Sequence, residues 1–63
     1  MNQDRRRRIA RILQELERII EEEIEAMERL PEALQESARG ERMQEAIDFL
    51  QEAIDALQDL LNA

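Results

Sequence analysis

A seven-residue repeat constrains this chain more than any other feature: QEAIDFL at 44–50 is followed at once by QEAIDAL at 51–57. Heptads of this kind specify helix packing. With Ile47 and Ile54 at position a, Met43, Leu50 and Leu57 fall at d and Leu61 at the next a, an unbroken apolar seam. Ala46, Ala53 and Leu60 form a second apolar column at g, and Phe49, Ala56 and Ala63 carry it further round. That face is wider than a single partner helix covers, so the helix is predicted to touch more than one neighbour.

The rest of the chain is equally helical in character. Ala, Leu, Glu, Gln, Arg and Met dominate, there is one Gly, one Pro and one aromatic residue, and Val, Thr, Tyr and Trp are missing, which excludes strands. Ile9, Ile12, Leu13, Leu16, Ile19, Ile20, Ile24, Met27 and Leu30 share one arc of a helix, roughly 140° wide, with 3.6-residue periodicity. Glu23 alone interrupts that arc. It is either a rim residue whose stem covers apolar surface, or a buried carboxylate paired across an interface with Arg39 or Arg42.

The first helix is predicted over residues 5–29, capped by Asp4 and stopped by Pro31, because a residue before proline is pushed out of the helical region. The turn, 30–37, contains PEAL, with Leu34 expected to fold back over the hairpin's open end. Ser37 caps a second helix over 38–61, with Glu41 favouring its first turn. Gly40 weakens that turn by about 1 kcal/mol relative to alanine, so it marks a close approach of another backbone or merely a relaxed start. Two matched helices with a short connection form an antiparallel hairpin. Pivoting about residue 35 sets Met27 beside Met43, Ile20 beside Leu50, Leu16 beside Ile54, Leu13 beside Leu57 and Ile9 beside Leu61. The same register brings Arg7, Arg8 and Arg11 to Asp55, Asp59 and the terminal carboxylate.

The run PEALQESARGERMQEAIDFLQEAIDAL resembles a segment of small acidic helical proteins of bacteriophages and Gram-positive bacteria, which share a Pro-Glu-Asx/Ala-Leu-Gln turn, a Ser-x-Arg stretch and repeated Glu-Ala-Ile-Asp units. The likeness covers about residues 30–57 and implies a natural, phage-associated helical protein. It implies no activity. The Arg-rich start and the lack of an aromatic before Pro31 depart from the group's pattern.

Catalytic chemistry has little to work with. The chain has no His, Cys, Lys, Tyr or Thr, and Ser37, its one hydroxyl, has no base to activate it. Glu21 and Glu25 stand one turn apart, but an open carboxylate pair lacks the backbone oxygens of a calcium loop, so a solvated face is the preferred reading. No cofactor or metal is expected. Cysteine absence fits a reducing interior, and no apolar run approaches the roughly 20 residues that span a bilayer, so a soluble, cytoplasmic protein without membrane contact is expected. A chain of 63 residues seldom buries enough surface to stand alone, and without disulfide or zinc the remaining aid is self-association.

The expectation is therefore an all-α, two-helix antiparallel hairpin that self-associates into a homodimeric four-helix bundle and works as a non-enzymatic protein–protein interaction module. Its predicted self-association face is Met43, Ala46, Ile47, Phe49, Leu50, Ala53, Ile54, Leu57, Leu60 and Leu61. Charge supplies two alternatives. The net charge of −7 divides into +4 over residues 1–11 and −11 over the remainder. The acidic row Glu45, Asp48, Glu52, Asp55 and Asp59, with Glu15, Glu22 and Glu25 on the first helix, would imitate a phosphate backbone and block a host nucleic-acid-binding enzyme. Arg5, Arg6, Arg7, Arg8 and Arg11 would instead contact the phosphates of RNA or DNA, or an acidic partner. A designed bundle would share the repeat and the matched lengths, although Glu23, Gly40 and an all-Arg basic set are unidiomatic choices for a designer.

Overall fold

A computed structural model describes all residues from Met1 to Ala63. Two long helices, α1 (Gln3–Glu28) and α3 (Ala38–Asn62), run antiparallel and are joined through a one-turn helix, α2 (Glu32–Gln35). The rod measures 48 × 15 × 13 Å between its Cα extremes. The hairpin and the extents of both long helices agree with the sequence to within two residues at each end.

The first cap differs from expectation. Asn2, in extended backbone, accepts the Arg5 amide at 2.9 Å, so α1 begins two residues earlier than an Asp4 cap allows. Asp4 sits inside the first turn, where its charge still favours the helix's positive end, and it pairs with Arg8 at 3.2 Å. At the other end α1 closes with Arg29 and Leu30 bonding back to Glu25 and Met27, and Pro31 then starts α2.

The connection is held almost entirely by its own backbone. The Pro31 carbonyl accepts from the Leu34 and Gln35 amides, and the Gln35 side chain returns to donate to the Leu30 carbonyl at 2.9 Å. Ser37 caps α3 as expected: its Oγ accepts from the Gly40 amide and its hydroxyl donates to the Leu34 carbonyl. Gly40 is buried, and a Cβ there would stand 2.0 Å from the Gln35 carbonyl oxygen. The close-approach reading of this glycine is therefore the right one. Leu34 does not close over the hairpin end: it lies in the single turn of α2, which buries no residue, and is 42% exposed.

The core is thin. Leu13, Ile20 and Ile54 are its only buried apolar side chains, with Leu16, Ile47, Leu50, Leu57 and Leu61 packed against them. These residues follow the heptad seam of α3 and one stripe of α1, as the register about residue 35 requires.

Candidate interaction face

Part of the repeat segment's apolar stripe is covered by the hairpin itself. Ile54 is buried against α1, and Met43, Ile47, Leu50, Leu57 and Leu61 are half-buried along the same line. The other column is left open: Ala46, Ala53 and Ala56 are exposed, Leu60 is 37% exposed and Phe49 61%. The sequence-derived list of face residues therefore separates into a seam covered within the chain and the column Ala46, Phe49, Ala53 and Leu60, which nothing in the chain covers.

The first helix contributes to the same face. Ile12 is 56% exposed, and Leu16 and Ile19 are half-buried. Viewed from its N-terminus a right-handed helix advances clockwise, and its antiparallel neighbour, approaching the viewer, advances anticlockwise. With Leu13 and Ile20 turned toward α3 and Ile54 toward α1, Ile12 and Ile19 fall on the same side of the hairpin as Ala46, Phe49, Ala53 and Leu60. The opposite side agrees with this handedness: an open groove there is flanked by Ile24 and Glu28 of α1 and Gln44 of α3, with Met27 and Ile47 of the seam between them. Ile12 and Ile19 were absent from the face read off the heptads. Their signal was the width of the first helix's apolar arc, which one neighbour cannot cover.

Glu23 lies on this same apolar side, half-buried, one turn beyond Ile19. Neither Arg39 nor Arg42 is within ion-pair distance of it, and both are exposed; the two ion pairs are Arg8–Asp4 and Arg18–Glu15, each within one helix. Within the hairpin it is a rim residue.

The arginine tip is arranged differently from expectation. No ion pair joins it to α3: Arg7, Arg8 and Arg11 do not reach Asp55, Asp59 or the terminal carboxylate. Instead Arg6, half-buried, donates through Nη2 to the Leu61 carbonyl, one of the orphan carbonyls in the last turn of α3. Arg6 sits on the flank of α1 that faces α3; the others point away from it into water, where cross-helix pairs gain little.

The acids Glu45, Asp48, Glu52, Asp55 and Asp59 are all exposed along one face of α3. Asp48 and Asp55 accept from Gln44 and Gln51 at 3.0 Å, one heptad apart, the local bonds of a solvated helix surface. No group of three or more His, Cys, Asp or Glu comes together in metal-binding geometry, and no helix is long and apolar enough to cross a membrane. Compared with known proteins, the chain matches no family, no curated protein and no solved structure.

Proposed function

We propose that this chain is a non-enzymatic helical interaction module whose working form is a self-associated pair of hairpins, a four-helix bundle. One observation carries the reading: a rod with three buried apolar side chains leaves Phe49 and Ile12 more than half exposed on one side, beside Ala46, Ala53 and Leu60. A soluble chain with so thin a core gains most by covering such a face. The alanine column allows helices to approach closely, and Phe49 then fills the space between hairpins. The lack of His, Cys, Lys, Tyr and Thr, with Ser37 committed to its cap, supports a binding role rather than catalysis. The resemblance of residues 30–57 to small acidic helical proteins of bacteriophages and Gram-positive bacteria points to a phage-associated origin, and the absence of cysteine fits a reducing cytoplasm.

The concentration dependence of thermal unfolding tests the proposal. Folding coupled to association raises the melting temperature as chain concentration rises over two decades. A melting temperature that does not move with concentration contradicts the proposal.

The acidic row of α3 favours a second reading, an inhibitor that occupies the nucleic-acid groove of a host enzyme, because none of its five carboxylates has a cation within ion-pair distance. Capture from host lysate that recovers nucleic-acid-binding proteins, and loses them when Asp48, Glu52 and Asp55 become Asn, Gln and Asn, supports it. Capture that recovers none counts against it.

A further inference from the structure

We infer that two copies pack apolar side to apolar side about a two-fold axis perpendicular to the rod, so that Glu23 of each chain meets Arg8 of the other. The inference rests on the self-association proposed above and specifies its geometry.

A face-to-face pair of hairpins has two symmetric choices. If the axis runs along the rod, α1 lies over the partner's α3, the two arginine tips share one end above Asp55 and Asp59, and Glu23 faces the partner's apolar stretch around Ala46 and Phe49, where there is no cation. If it runs across the rod, α1 lies antiparallel on α1 and α3 on α3, and each tip meets the partner's turn end, where the seven acids of residues 21–36 outnumber Arg29, Arg39 and Arg42. The second choice alone sets a cation opposite Glu23, and that selects it.

Side-chain sizes then set the register. An axis crossing α1 between residues 15 and 16 places Ile12 on the partner's Ile19 and Arg8 on the partner's Glu23. An axis crossing α3 between residues 54 and 55 places Phe49 on the partner's Leu60, with Ala53 and Ala56 meeting at the centre, where small residues let the helices close. These are independent fits, one on each helix. The two crossing points lie opposite each other in the register expected from the sequence, with which the meeting of Ile24 and Met27 with Ile47 and Gln44 agrees, so one axis satisfies both. Ile12, Ile19, Phe49 and Leu60 each gain an apolar partner, and Glu23 gains a cation. Arg8 is free to move, since its bond to Asp4 is an exposed one-turn pair. Arg39 and Arg42 lie too near the turn to be opposite Glu23.

Arg8→Glu and Glu23→Arg, made separately and mixed, test the arrangement. Each variant alone sets like charges against each other twice and is expected to weaken the dimer by about tenfold or more. An equimolar mixture restores opposite charges at both contacts, so native mass spectrometry is expected to show a heterodimer in excess of either homodimer. Rescue between chains does not arise from any effect inside one chain. If the wild type is dimeric but the mixture shows no preference, or neither variant weakens it, the arrangement is wrong while self-association stands. If the wild type is monomeric, both are wrong.

Discussion

Gly40 separates two effects of similar chemistry and opposite sign. In an open helix, replacing glycine by alanine gains about 1 kcal/mol. Here the new Cβ would stand 2.0 Å from the Gln35 carbonyl oxygen, a backbone atom that moves only if the turn moves. Gly40→Ala is therefore expected to lower stability by about 1–3 kcal/mol in urea unfolding; an increase would show that the turn yields freely. Ile54, 4% exposed at the centre of the core, is the side chain whose truncation to alanine costs most, about 2–5 kcal/mol by the same measurement. Single residues were also where sequence reasoning slipped. Asn2 and Asp4 are both competent caps two positions apart, and the sequence contains nothing that ranks them apart from how far the chain can be extended. Which arginine reaches α3 depends on helix phase at the tip, a matter of one residue, and Arg6 rather than Arg7 or Arg8 has that phase.

At the scale of the elements, the long helices were legible because each carries its own periodic stripe, a stop and a start: Pro31 after α1 and Ser37 before α3. The hairpin register followed because every pairing about residue 35 is apolar. The combined face was less legible. It depends on how two stripes are turned relative to each other, which comes from helix handedness and antiparallel packing rather than from either stripe alone. That face gives Phe49 a diagnostic role. At 61% exposure it contributes little to a lone hairpin, so Phe49→Ala should leave the unfolding of a lone hairpin almost unchanged. If Phe49 lies between hairpins, the same substitution lowers the melting temperature, and most clearly at low chain concentration. Equal melting of Phe49→Ala and wild type at every concentration would remove Phe49 from any interface.

For the whole molecule, the governing fact is the mismatch between apolar surface and the means to cover it. Two helices bury three apolar side chains between them and leave a side containing Ile12, Phe49 and Leu60 to water. In the arrangement proposed, a second copy would cover that side; a lone hairpin leaves it to water. Light scattering on the eluting peak of a size-exclusion column measures this most directly. The account predicts a molar mass of twice the 7.5 kDa chain at micromolar concentration and above. A helical, sharply melting species that keeps the single-chain mass up to millimolar concentration would contradict it.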